Sequence, residues 1–409
     1  MAKSPDRTPL ARLALLFFLQ PLSSALWILP FGNVLATRGL GALVPVVFAF
    51  PPVAALFSPL LAGILADHKI PSQRLLRYLL FGSSALMFSA SLAVECASAP
   101  LILALMLAHA VIFAPTGTLA TAVVLANSSN PARDFPFFRI WSTVSWIAAG
   151  YFISFGISSD FSPRAMTAAS VCELALALYT FALPPAPAPN VSLRRSGWRE
   201  ILGLRAFLQF PGGLVAVLLA MVAATMCLSA AFFPYAPQLL RSTGIGRPSA
   251  WMTVSQWSEI LFIGLLPLFL RRVRPQWLML LGLGCGGVRC LSFAGYAGGG
   301  WWPLAVAGLA MHGPVTAFTF VTMQIFMEKN LPPEVRNRAQ ALVSVFGSGV
   351  GPLAGLLLSG ALASATILPG KLDAGSWAAF WGAFAILHVL AAGFFFLRLR
   401  RNVPDAGAS

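Results

Sequence analysis

Apolar stretches long enough to cross a bilayer recur along nearly the whole chain, and no other feature restricts its fold as much. A membrane-spanning helix needs roughly 20 apolar residues. Twelve candidates can be marked, at about 12–35, 41–66, 74–95, 100–126, 137–158, 164–184, 210–237, 250–270, 277–297, 301–327, 338–361 and 376–398. Of the 409 residues, 58% are hydrophobic and 10% are charged, and the mean hydropathy is +0.81. A water-soluble fold cannot hide that much apolar surface. The expected fold class is an all-α membrane protein with twelve transmembrane helices.

The longest interruption, 185–207, falls where the prolines Pro184, Pro185, Pro187 and Pro189 are followed by Arg194, Arg195, Arg199 and Arg205. A proline run is extended and cannot continue a helix. It divides the chain into an N-terminal six-helix bundle (1–184), a cytoplasmic linker (185–207) and a C-terminal six-helix bundle (208–409), the layout of two joined repeats. Lys and Arg gather on alternate sides of the spans. Even-numbered loops with both tails hold 20 of the 27, and odd-numbered loops hold 5. The positive-inside rule then places both termini in the cytoplasm of a multi-pass inner-membrane protein. The basic tail 1–12 leads into an apolar run too long for a signal peptide, so the first span is expected to be retained.

The same placement explains the net charge of +15 without nucleic acid, which is not an expected partner. Cys96, Cys172, Cys227, Cys285 and Cys290 form no C-x-x-C pair and read as small packing residues. No phosphate-binding loop, zinc-helix pair or nucleophile elbow is present, so the chain is not read as an enzyme. No cofactor is expected; the driving force would be a proton gradient or the solute's own gradient.

Two intramembrane charges point to function. Arg139 enters the fifth apolar segment from the short polar loop around Asp134, and Glu259 sits mid-span in the eighth. A charge in hydrocarbon costs at least ~2.5–3.5 kcal/mol. Thr143 and Trp146 follow Arg139 on one helical face, and Gln256 shares a face with Glu259. A buried carboxylate there could take a proton near neutral pH. His312 opens a polar stripe with Thr316, Thr319 and Gln324 in the tenth segment. Arg139, Gln256 and Glu259 are expected to line a polar space between two halves that carries a small polar solute. Glu173 reads as a helix–helix contact, and His109 and His388 read as packing residues. Arg289 needs a partner that the sequence does not name. Gly347, Gly351 and Gly355 form a small-residue face for close helix approach.

Gly63-Ile64-Leu65-Ala66-Asp67-His68-Lys69, with Arg74 and Arg77 downstream, resembles the loop motif of the major facilitator superfamily, in which the Asp gates. Further pieces in order are Phe18-Leu19-Gln20 with Trp27, Asp134-Phe135-Pro136 through Arg139-Ile140-Trp141, Ser255-Gln256 with Ser258-Glu259, Arg289, His312-Gly313, Gln324-Ile325 and Glu328-Lys329. With them the chain resembles the nucleoside:proton symporter family of that superfamily. The resemblance implies two six-helix bundles with alternating access and proton-driven import of nucleosides by a monomer in the lipid bilayer. It also implies solute contacts from Arg139, Thr143, Trp146, Gln256, Glu259, His312 and Thr316, proton coupling by Glu259 and gating by Asp67, and aromatic side chains such as Trp27, Trp146 and Trp257 would stack on the base. The chain departs from the family at 225–233, which carries no amide, and at Thr316-Ala317, where a carboxylate usually follows an aromatic. A sugar carrier or drug exporter on the same scaffold is the alternative that these departures keep open.

Overall fold

Helices account for the architecture of the described residues. The computed structural model describes residues 10–66, 70–128, 131–186, 213–331, 333–367 and 372–402. Among them, ten helices are long and apolar enough to cross a membrane, and no strand occurs. Asp67 and most of the linker 185–207 lie outside the described residues. By internal contacts the chain falls into two units. One runs to Ser196 and takes in Gly246–Thr253; the other comprises Gly197–Ile245 and Val254–Ser409.

The first unit is built from α1 (Leu10–Ala36), α2 (Val44–Ala66), α3 (Ser72–Glu95), α4 (Ala99–Asn127), α5 (Pro131–Tyr151) and α6 (Arg164–Tyr179). Helix α1 runs unbroken through Pro21 and Pro30, as membrane helices tolerate. It packs on α5 and α6, while α3 packs on α4 and α6 and α2 on α4. Leu13, Leu16, Leu76, Leu80, Val123, Phe138 and Leu176 form its apolar core. Helix–helix polar contacts supplement that core. Ser84 Oγ donates to the Ser170 carbonyl and Ser170 Oγ to the Ser84 carbonyl, both at 2.9 Å, joining α3 to α6. Hydroxyls in such pairs satisfy each other where lipid offers no partner.

Helix α5 corrects one boundary. The polar loop expected at Asp134-Phe135-Pro136, before a span at 137, is already helix, which begins at Pro131. Proline is favoured at a first helical position, because its missing N–H is not needed there. Arg139 therefore lies in the third turn rather than at a helix start. At the far end, residues Phe152–Gly156 widen into a π turn.

The second unit contains α7 (Gly213–Ser229), α8 (Phe232–Ser242), α9 (Pro248–Arg272, of which the first turns belong with the first unit), α10 (Pro275–Gly299), α11 (Trp302–Ala310), α12 (His312–Val315), α13 (Thr322–Asn330), α14 (Pro333–Ser344), α15 (Gly351–Thr366) and α16 (Ala374–Asn402). The seventh apolar stretch is thus divided in two, and π-helical stretches interrupt the tenth at Thr316–Val321 and the eleventh at Val345–Val350. Helix α10 packs on α16, α11 and α7, and α15 on α7.

Glycine sets the closest of these approaches. A Cβ on Gly355 would overlap the Cys227 carbonyl oxygen, and one on Gly351 would meet the Ala223 carbonyl oxygen at 2.8 Å. The small-residue face read from 347, 351 and 355 therefore packs on α7. Overpacking at such a backbone contact costs about 1–3 kcal/mol. Gly355→Ala is expected to lower stability by that amount, measured by unfolding in mixed micelles, whereas Gly382→Ala, with open space around it inside a helix, should not lower it.

Candidate solute and proton site

The residues singled out on the fifth segment all sit on α5. Phe138 is fully buried against Phe17, with ring centroids 5.9 Å apart, and Ser145 is buried too. These inward positions fix the rotation of α5. Arg139 is left exposed, and Thr143 and Trp146 are half-buried. One helix thus carries a guanidinium, a hydroxyl and an indole along one side.

The candidates of the second half come together on α9 and α12. Gln256 is buried, with Nε2 3.2 Å from the Ser255 hydroxyl to which it donates. Glu259 Oε2 lies 3.8 Å from His312 Nε2, and both side chains keep 15% of their surface. The close approach has a local cause. Ser258 Oγ donates to the Ala310 carbonyl, and a Cβ at Gly313 would overlap the Ser258 carbonyl oxygen. Glycine at 313 lets α12 lie directly on α9, which sets the carboxylate beside the imidazole. The His312 ring stacks on Phe232, at 4.9 Å and 13° between planes, and meets Phe233 edge-on at 5.6 Å. Its plane is therefore fixed. Thr316 follows one turn on, at the start of the π stretch, and is half-buried.

Arg289 acquires its partner here. The guanidinium is 1% exposed and stands over the same Phe232 ring, 5.0 Å from the centroid. A cation over an aromatic face is attracted by the ring quadrupole. Arg289, Phe232, His312 and Glu259 thus form one column reaching from α10 through α8 and α12 to α9.

Two aromatic expectations change. Trp27 was expected to stack on a base, but it is 3% exposed, edge-on to Phe31 at 5.5 Å and to His109 at 6.3 Å. Its faces are consumed by packing. Trp257 is 54% exposed while Gln256 and Ser258 on either side are buried. At about 100° per residue it projects opposite to Glu259, away from the polar side of α9. The missing amide at 225–233 is not replaced: Thr225 is buried and spends its hydroxyl on the Met221 carbonyl.

Sequence reading missed one pairing. His109 Nε2 lies 2.9 Å from Glu173 Oε1, both side chains at most 2% exposed, tying α4 to α6. Sixty-four residues separate the two, so no local spacing signals it. His388 packs as expected: Nδ1 meets the Phe384 carbonyl at 2.8 Å, and a Cβ at Gly286 would crowd its ring. Among the described residues, no three His, Cys, Asp or Glu side chains are grouped as metal ligands.

With this geometry, a partly accessible carboxylate beside an imidazole can exchange a proton and accept hydroxyl hydrogen bonds. The chain is 26% identical over 408 residues to the xanthosine permease of Escherichia coli (strain K12), covering 96% of each. It is 25% identical over 401 residues to the nucleoside permease NupG of the same strain, covering 93% of each. Its fold superposes on the crystal structure of nucleoside transporter NupG with a TM-score of 0.83, at 23% identity, over 96% of this chain and all of that one. It superposes on a D-xylose-proton symporter with a TM-score of 0.71, at 13% identity, over 97% and 98%. The profile described as "Nucleoside H+ symporter" matches residues 8–403, and the chain belongs to that family.

Proposed function

We infer that the chain imports nucleosides together with protons, and that Glu259 carries the proton. Membership of the family establishes a membrane transporter rather than an enzyme. The observation that supports the proton role is the Glu259–His312 pair, two titratable side chains 3.8 Å apart with part of their surface accessible. Protonating the carboxylate removes its attraction for the imidazole and for solute hydroxyls together, so solute affinity and proton occupancy become linked. Arg139 and Thr143 supply donors, and Gln256 an amide, toward ribose or base. Trp146, on the same side of α5 as Arg139 and Thr143, is the aromatic residue assigned to the base.

The finer arrangement follows from the same reading. Adding α2 and α5 to the ten apolar helices gives twelve spans in two six-helix units that alternate access. The chain works as a monomer in the inner membrane, with both termini and the linker on the cytoplasmic side and Asp67 at a gate. Proteoliposome uptake of radiolabelled uridine, adenosine and xanthosine tests this. Accumulation of at least one of them is expected to rise when an inward proton gradient is imposed. Uptake of sugars under the same conditions, with no nucleoside accumulated, would assign the scaffold to another solute.

A further inference from the structure

Helix α9, which carries Gln256 and Glu259, has no cap of its own. The residue before its first turn is Arg247, whose side chain has no acceptor, so it cannot receive the leading N–H groups. Those groups are satisfied from elsewhere in the chain. Asp160, 3% exposed in the segment after α5, accepts the Ser249 N–H at Oδ1 over 2.8 Å. Ser154, 1% exposed in the π turn Phe152–Gly156, accepts the Ala250 N–H at Oγ over 2.9 Å. Ser154 Oγ in turn donates to Asp160 Oδ1 at 3.1 Å, so the two form one cap. A carboxylate at this end also complements the positive pole of the helix dipole.

Three further features join the same two places. A Cβ at Gly150 would meet Thr253 Cγ2 at 2.5 Å and the Ser249 carbonyl oxygen at 2.6 Å, so α5 touches the start of α9 at backbone distance. The Arg247 guanidinium lies over the Phe155 ring, 4.5 Å from its centroid. Ser158, with φ of 46°, holds the left-handed turn that brings Asp160 back toward Ser154. The first turns of α9 accordingly count with the first unit, and its remainder with the second.

We propose that Asp160, through Ser154, is a positioning residue of the transport site: it caps α9 from outside the helix and so sets where Gln256 and Glu259 stand. The proposal rests on the transport reading above. Glu259 lies ten residues beyond Ser249, about 15 Å along a rigid helix, so a freed first turn changes the placement of the carboxylate without touching it. Losing a cap residue shifts a helix-end equilibrium by about tenfold, and a competent state that becomes the minority lowers apparent affinity in proportion.

The test combines hydrogen exchange over 246–254 in the purified full chain with nucleoside uptake in proteoliposomes. Asp160→Ala is expected to speed exchange in that segment about tenfold and to raise the KM for the nucleoside by a similar factor, with saturated uptake changed less than about threefold. Asp160→Asn keeps an acceptor oxygen and is expected to restore both within about threefold. Ser154→Ala should raise exchange in the same segment as well. Unchanged exchange in Asp160→Ala overturns the cap, and an unchanged KM overturns its role in the site. An Asn variant as impaired as the Ala variant overturns it too, since a general folding defect would ignore the acceptor. If Asp160→Ala shows the exchange response but wild type accumulates no nucleoside, the transport reading fails and the cap stands.

Discussion

Glu259→Gln is expected to abolish the response of nucleoside uptake to an inward proton gradient and to weaken solute binding about 10- to 100-fold. Gln keeps the size and an acceptor oxygen of Glu but can neither bind nor release a proton. Hydrogen bonds to a charged group contribute about 1.5–3 kcal/mol, and each 1.4 kcal/mol is a factor of ten in affinity. The His312 imidazole, 3.8 Å away and stacked on Phe232, keeps its place in the variant, so the change reports charge and not collapse. Uptake into proteoliposomes with and without a pH step measures the gradient response, and thermal stabilisation by added nucleoside measures binding. A variant that still accumulates nucleoside in proportion to the gradient would assign the proton to another group.

How much of this was legible beforehand depended on the range of the signal. The helical class follows from local runs of apolar residues, and each such run proved helical where described, with ten helices long and apolar enough to cross a membrane. The small-residue face at 347, 351 and 355 was readable because its spacing of four is local, and α7 fills it. Glu259 stood out because a mid-span carboxylate is costly wherever it points. Partners were not readable. Arg289 resolves onto Phe232, an apolar ring that no charge-matching argument would have selected. The Trp27 and Trp257 expectations failed for a related reason: a tryptophan looks the same in sequence whether its face is enclosed, as against Phe31 and His109, or projects outward. Asp160 left no mark at all. It lies outside the spans, where a carboxylate is unremarked, and the helix it caps begins some ninety residues later. The helical break at Ala230-Ala231 and the π stretch Thr316–Val321 contain no glycine or proline of their own, so the apolar run alone gave no warning of them.

The buried pair in the first unit carries the largest expected effect on stability. Glu173→Ala is expected to destabilise the protein by about 3–5 kcal/mol, because it opens a cavity and leaves His109 Nε2 facing an apolar interior without its hydrogen-bond partner. The surroundings offer little compensation. Trp27 meets His109 edge-on, Phe113 stacks on it at 5.3 Å, and Glu173 Oε2 itself has no hydrogen-bond partner. Desolvation of both groups is therefore offset chiefly by their one 2.9 Å contact. The same reasoning predicts that removing both groups is far milder than removing one. His109→Leu with Glu173→Leu together should lie within about 1 kcal/mol of wild type or above it, since well-packed apolar side chains replace both partners of a buried polar pair at little or no cost. Unfolding by SDS in mixed micelles, followed by helical circular dichroism, gives the ranking. A single variant as stable as wild type, or a double variant no better than the single, would show that the pair is not what holds α4 against α6. Uptake by the stable double variant should keep its response to the proton gradient, since that response is assigned to Glu259 in the other unit.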